Sequence, residues 1–259
     1  MRVITLNVQG IQQATERGLF DWLVKQDADV VCLQDLRAKA YQLDDAKYHP
    51  PGYQAFFFDA PEDNYSGVAI YCRAQPKAVM TGLGFELCDF HGRYIQADYE
   101  KVSIGSLLLP SGENDPEKQA IKDEFLEHMM AHMKKTLRKR RQFIFCGTWN
   151  IAREPRDVSN WYVNQKNSGF LPEERAFMRE MFDELGFVDA FREVNQADRQ
   201  FTWWPHYNRA FELNEGARLD YQVCTSEFGR KVKAARILKE PRFSDHAAVV
   251  IDYDHALEA

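Results

Sequence analysis

Two hydrophobic periods take turns along this chain. Runs rich in β-branched and aromatic residues predict strands: "VITLNV", "DVVCLQ", "YQAFFFDA", "GVAIYCR", "RYIQADY", "VSIGSLLLP", "QFIFCG", "FTWW", "LDYQVCT" and "AAVVIDY". Between them lie helical spacings. "IQQATERGLFDWLVKQD" puts Leu19, Trp22 and Leu23 on one face, "KQAIKDEFLEHMMAHMKKTL" does the same for Ile121, Phe125, Met129 and Met133, and "LPEERAFMREMFDELG" for Phe177, Met181 and Leu185. About ten strands with about three main helices, in alternating blocks, predict an α/β sandwich of two sheets; a doubly wound parallel fold needs more helices per strand. There is no repeat, low-complexity tract or composition break, so residues 1–259 are expected to form a single domain. The longest irregular stretches are 110–118 and 152–170.

Composition narrows the setting. A net charge of −6 argues against a general attraction to nucleic acid, so any such binding must use a local patch. Cys32, Cys72, Cys88, Cys146 and Cys224 are widely spaced, and most lie in or beside apolar runs, which suits buried thiols in a reducing compartment. No cysteine or histidine cluster has zinc spacing; His128 and His132 are one helical turn apart without a third ligand. No apolar run reaches the roughly 20 residues of a membrane helix, and "MRVITLNVQG" lacks the apolar segment of a signal peptide, so a cytoplasmic protein is expected and no membrane partner.

Polar residues recur at strand ends. Asn7 follows "VITL", Gln34 and Asp35 follow "VVCL", Asn150 follows "FIFCG", Asp220 enters "YQVCT", and Ser244, Asp245 and His246 precede the last strand. Taken singly, each could simply end a strand and start a turn. As a set they predict a site assembled on a rigid sheet scaffold.

The segments "LNVQGI", "DADVVCLQD", "YSGVAIY", "LLLPSGE", "FCGTWNIA", "GFLPEERAFM", "LGFVDAFREVN", "FTWW", "ARLDYQV" and "FSDHAAV" together resemble, in order, the exonuclease III branch of the endonuclease/exonuclease/phosphatase family. That resemblance implies a four-layer α/β sandwich, two packed mixed β-sheets flanked by helices, and Mg²⁺-dependent phosphodiester hydrolysis. Asn7, Asn150, Asp220, Asp245 and His246 match the family's site positions, and Trp203 its base-contacting tryptophan.

Three positions depart from the pattern. Asp35 stands for the metal-binding glutamate and reaches about 1.5 Å less far, which Mg²⁺ tolerates poorly. Thr148 stands for the aspartate that orients the attacking water, and Leu108 for a tyrosine that contacts phosphate. A hydroxyl is no carboxylate base, and loss of a positioned acid or base removes about 10²–10⁴-fold in rate. A vestigial site of Asn7, Asp35, Leu108, Thr148, Asn150, Asp220, Asp245 and His246 is therefore expected, with metal binding at Asp35 weak or absent.

Within the branch, "LQD", the leucine before "LPSG" and the missing aspartate resemble the Crc group of catabolite-repression regulators. The resemblance implies a non-catalytic translational repressor without a cofactor, acting with the RNA chaperone Hfq on A-rich mRNA leaders, with a homodimer possible. The alternative is a Mg²⁺-dependent DNA-repair nuclease, a 3′–5′ exonuclease or abasic-site endonuclease, with a weakened site. A binding role directs attention to "KKTLRKRR", in which Lys134, Lys135, Arg138, Lys139, Arg140 and Arg141 place six basic residues in eight positions, and to Arg230 and Lys231. A helix C-terminus favours cations, but accounts for only part of such a run. Trp161 and Tyr162, in the loop after "TWN", either stack on bases or pin that loop to the body.

Overall fold

A computed structural model describes residues 1–257. Its strands among those residues are β1 (Arg2–Asn7), β2 (Val30–Gln34), β3 (Gln54–Phe58), β4 (Val68–Cys72), β5 (Ala78–Thr81), β6 (Tyr94–Asp98), β7 (Val102–Leu108), β8 (Gln142–Thr148), β9 (Val188–Asp189), β10 (Asp220–Cys224), β11 (Val232–Leu238) and β12 (Ala248–Tyr253). They form two six-stranded sheets, ordered β11-β12-β1-β2-β4-β3 and β5-β6-β7-β8-β10-β9. Both sheets are mixed: β1–β2 and β7–β8 are parallel, and the other pairs antiparallel.

The sheets pack face to face. Val3, Cys32 and Ile70 of one meet Ile104, Ile144 and Cys146 of the other in a shared core. The outer face of the first sheet is covered by helices Ile11–Glu16 and Leu19–Lys25. That of the second is covered by Pro116–Thr136 and Pro172–Arg179. This is the expected four-layer sandwich. Central strands such as β2 and β4 are buried on both faces, which is why they read as unbroken apolar runs.

Local chemistry sets the boundaries. The Pro116–Thr136 helix starts where Asp115 accepts hydrogen bonds from the N–H groups of Glu117 and Lys118, with Pro116 at the first helical position. The period over residues 11–27 predicts one helix, yet Gly18, at φ +85°, breaks it in two. Phe125, Met129 and Met133 are buried as expected, whereas Ile121 is exposed and lines the cleft described below. β5 and β11 escaped the periodicity because they are edge strands, exposed or half-buried, with Lys233 and Arg236 interrupting the apolar pattern of β11. "FTWW" forms isolated bridges through Trp203 instead of a strand, and Trp204 alone of its two tryptophans is buried. All five cysteines are free and buried. Among the described residues no helix is long and apolar enough to cross a membrane.

Strand direction positions the site. β1 and β2 end, and β12 begins, at one edge of the first sheet; β7 and β8 end, and β10 begins, at the same edge of the second, where Asp220 faces Thr148.

Candidate active site

Four side chains from these strand ends form one hydrogen-bonded chain. Nδ2 of Asn7 donates to the Thr148 hydroxyl at 3.1 Å, which donates to Oδ1 of Asp220 at 2.6 Å. The other oxygen, Oδ2, lies 2.8 Å from Nδ1 of His246. All four residues are buried, so these bonds act in a low local dielectric. With Nδ1–H donated to Asp220, a neutral His246 keeps Nε2 as an acceptor, and the residue lines the cleft.

The surrounding backbone fixes the chain. Thr202 Oγ1 accepts from the N–H groups of Leu219 and Asp220 at the start of β10. Ser244 donates to the Asn7 carbonyl and accepts from the His246 N–H, tying the last loop to β1. Gly147 has φ +151°, and a Cβ there would lie 1.9 Å from the Leu107 carbonyl oxygen, so only glycine lets β8 pass β7 and present Thr148. Asn150 sits at φ +54°, turns its amide onto the Leu109 carbonyl at 2.7 Å, and borders the cleft. Asp245, expected within the set, stands aside from the chain: its carboxylate faces Arg242 at 3.6 Å and His206 at 4.0 Å.

The cleft above this chain has a volume of about 960 Å³. Asp35, Arg93, Leu108 and Trp203 line it, and one wall comes from the irregular stretches 110–118 and 152–170. Those stretches are held by an ion pair that sequence reasoning missed. Lys122 and Glu174 meet at 2.5 Å with both side chains fully buried; Lys122 also donates to the Asn150 carbonyl at 2.8 Å, and Glu174 accepts from the N–H groups of Gly169 and Leu171. Burial pushes the Lys122 ammonium down from its usual value, with Glu174 opposing. Glu174 lies in "FLPEER", where nothing in the residue pattern marks it as the partner of Lys122, 52 positions earlier.

Trp161 and Tyr162 pack edge to face at 5.8 Å on the loop whose neighbours Asn160 and Asn164 line the cleft. Trp161 is 46% and Tyr162 72% exposed, so much of both rings faces solvent. The basic run lies elsewhere. It precedes Gln142, at the opposite end of β8 from Thr148, roughly 20 Å away along a seven-residue strand. Lys134 pairs with Glu180, Lys139 covers the Phe143 ring, and Arg141 pairs with Asp98. Arg230 and Lys231 follow β10 at that same far end, with Lys231 over Phe228. Lys135, Arg138 and Arg140 project into solvent there. None of these groups joins the cleft.

The oxygen donors expected to hold Mg²⁺ are already engaged. Both carboxylate oxygens of Asp35 accept from Arg37, the shortest contact being 2.7 Å, and Oδ1 of Asn7 accepts the Gln9 N–H. No group of three acidic, histidine or cysteine residues suited to a metal occurs among the described residues. As folded, Asp35 would have to release Arg37 before it could ligate a divalent ion, so these residues do not present a ready-made Mg²⁺ site.

Comparison with known proteins places this geometry. The exodeoxyribonuclease of Bacillus subtilis is 31% identical over 252 residues, covering 96% of this chain and 98% of its own. The DNA repair nuclease APEX1 of Danio rerio is 30% identical, covering 97% and 81%. The structure of an AP endonuclease from Archaeoglobus fulgidus superposes with a TM-score of 0.90 at 26% identity, covering 98% of this chain and all of that one. These findings correct the expectation of a non-catalytic Crc-type regulator working with Hfq: relatives 25–31% identical over nearly the whole chain are named as nucleases. The physical reason is that three exchanged side chains were counted as loss of the site, whereas the fold keeps Asp220 on His246 and links Thr148 into the same hydrogen-bonded chain. The endonuclease/exonuclease/phosphatase family profile matches residues 4–246, and the chain belongs to that family.

Proposed function

We propose that this chain is a nucleic-acid phosphodiesterase of the exonuclease and AP-endonuclease type, slowed by the exchange at position 148. The observation that carries this reading is the buried Asp220–His246 pair at 2.8 Å on the cleft. The names of the full-length relatives and of the superposed AP endonuclease support it.

The chemistry follows from the residues. Asp220 holds the imidazole in one tautomer and stabilises the imidazolium that forms when Nε2 takes a proton from water. The water oxygen forms its bond to phosphorus as the P–O ester bond breaks in line; the departing alkoxide, on the opposite face, takes a proton from solvent in the open cleft, and His246 returns its own proton to solvent. Asn7 and Thr148 orient the Asp220 carboxylate through the hydrogen-bonded chain. Thr148 supplies no negative charge for the water, so turnover is expected about 10²–10⁴-fold below that of an enzyme with a positioned carboxylate.

The test is incubation of the purified protein with duplex DNA carrying an abasic site or recessed 3′ ends, in Mg²⁺, Mn²⁺ or EDTA. Slow product formation that His246→Gln abolishes supports the reading. Product no faster than that of the variant in every buffer overturns it.

A further inference from the structure

Asp35, Arg37, Tyr65 and Arg93 form a second cluster in the cleft, apart from the Asp220–His246 chain. Arg37 takes both oxygens of Asp35, a geometry a planar guanidinium favours and a hydrated Mg²⁺ would have to displace. Asp35 and Arg37 both have positive φ, near +58° and +51°, and the Arg37 N–H is fixed on the Ser66 carbonyl, so backbone conformation aims the two side chains at each other. Arg93 is 6% exposed. It donates to the Leu108 carbonyl at 3.2 Å and to the Tyr65 hydroxyl, stacks over the Tyr65 ring at 5.5 Å, and keeps a buried Nε without a hydrogen-bond partner among the described residues. Burial pushes this guanidinium down from its usual value; the fields of Tyr65 and Asp35 oppose that, which places Asp35 within electrostatic reach.

The charge balance is unusual for a metal site. Asp35 is paired with Arg37, and a second guanidinium, Arg93, lines the same cleft, so these three side chains carry a net positive charge; Arg93 anchors at Leu108, the position where a phosphate-contacting tyrosine was expected. Neither arginine spends all its N–H donors: Arg93 commits one each to Leu108 and Tyr65, and Arg37 leaves Nη1 unused. A buried cation with spare donors in an open cleft attracts an anion of matching geometry, and a phosphate oxygen pair matches a guanidinium fork.

We propose that Arg37 and Arg93 form a phosphate subsite that holds a nucleic-acid phosphodiester without a divalent ion, Arg37 standing at Asp35 in the place of the metal. The inference rests on the nucleic-acid reading of the cleft and deepens it. Asp35 in this arrangement positions Arg37 and competes with the phosphate for it, whereas in a metal site the same carboxylate would promote binding. The two arrangements give opposite signs for one substitution.

The experiment uses the full chain in EDTA, with inorganic phosphate as the first probe and arginine Nε–Hε NMR signals as the readout, assigned through Arg37→Gln and Arg93→Lys. Both signals should shift with phosphate, and adding Mg²⁺ should change the titration less than twofold. A short single-stranded DNA is the second probe, followed by fluorescence anisotropy. Arg37→Gln should weaken its binding about tenfold or more; Asp35→Asn should tighten it. Arg93→Lys keeps the charge but not the fork and should weaken binding if its thermal melt matches the wild type; if it fails to fold, the Arg37 and Asp35 variants decide. Phosphate shifts that appear only after Mg²⁺ is added, or Asp35→Asn weakening DNA binding, would overturn the subsite. If phosphate titrates both arginines but no DNA is cleaved, the subsite stands and the phosphodiesterase reading fails. DNA cleavage without any phosphate response gives the reverse.

Discussion

Thr148 donates a 2.6 Å hydrogen bond to the buried carboxylate of Asp220, and this contact defines what position 148 can do. The hydroxyl also accepts from Asn7, so it bridges the two sheets. Thr148→Val keeps the shape but removes the bridge, leaving buried polar groups on both sides; it should cost about 1–3 kcal/mol, read by urea unfolding.

Thr148→Asp is expected to act differently. It sets a second carboxylate against Asp220, and two such groups cannot both ionise in a buried site. The pair should share a proton, lower stability, and raise hydrolysis by about 10²-fold or more once that proton is lost. A pH profile of kcat/KM that climbs with pH in Thr148→Asp, and a lower Tm, check this; an unchanged rate at every pH would show that charge at 148 is not what limits turnover.

Asp220 and His246 should behave as one unit. Asp220→Asn reverses the hydrogen bond to Nδ1 and leaves the imidazole in the wrong tautomer. Its loss in kcat should fall in the same range as that of His246→Gln, about 10²–10⁴-fold, and the double variant should be little worse than either. Independent, additive losses would argue against the pair.

The Lys122–Glu174 pair carries the cleft wall. Removing one partner strands the other as a fully buried charge, so Lys122→Met or Glu174→Gln should cost about 3–5 kcal/mol. Lys122→Met together with Glu174→Leu should recover part of that loss. Chemical unfolding gives the energies, and hydrogen exchange over residues 150–171 should rise in the single variants, because Lys122→Met frees the Asn150 carbonyl and the Glu174 carboxylate from their anchor and Glu174→Gln offers Gly169 and Leu171 only a neutral, weaker acceptor.

His132 gives the protein an acid-sensitive step. Burial, aided by Lys139 and Lys135, pushes its imidazole down to about 4, among the rings of Tyr94 and Phe145. Between that value and the unfolded value of about 6.5 the unfolded chain binds more protons. Stability is therefore fully present above about pH 6.5 and is lost as pH falls toward 4, by at most about 3 kcal/mol. Thermal melts should show this slope, and His132→Phe should flatten it.

Much of the fold was written locally. Central strands such as "VVCLQ" and "VAIYC" are buried on both faces and so are apolar throughout, and the Asp115–Pro116 start of the long helix is spelled out by its capping chemistry. The edge strands β5 and β11 were hidden because solvent on one side relaxes the demand for apolar residues. Of the strand-end polar residues, Asn7, Asp220 and His246 meet Thr148 in one hydrogen-bonded chain, while Asp245 looked equivalent in sequence and turned toward Arg242 in space. The basic run was conspicuous for composition, yet strand direction puts it at the far end of β8.

By itself the sequence determined the family, the two-sheet plan and the residue types at the strand ends, because short-range periodicity and motif order are carried by neighbours in the chain. Only the tertiary structure decided which of those residues meet. Thr148 and Asp220 are 72 positions apart and Lys122 and Glu174 are 52; the pairing of Arg37 with Asp35, though local, depends on two backbone turns at positive φ that no residue-type rule announces. Whether a charge is a ligand, a partner or a counter-ion is set by distance and burial, and those quantities exist only once the sheets have packed.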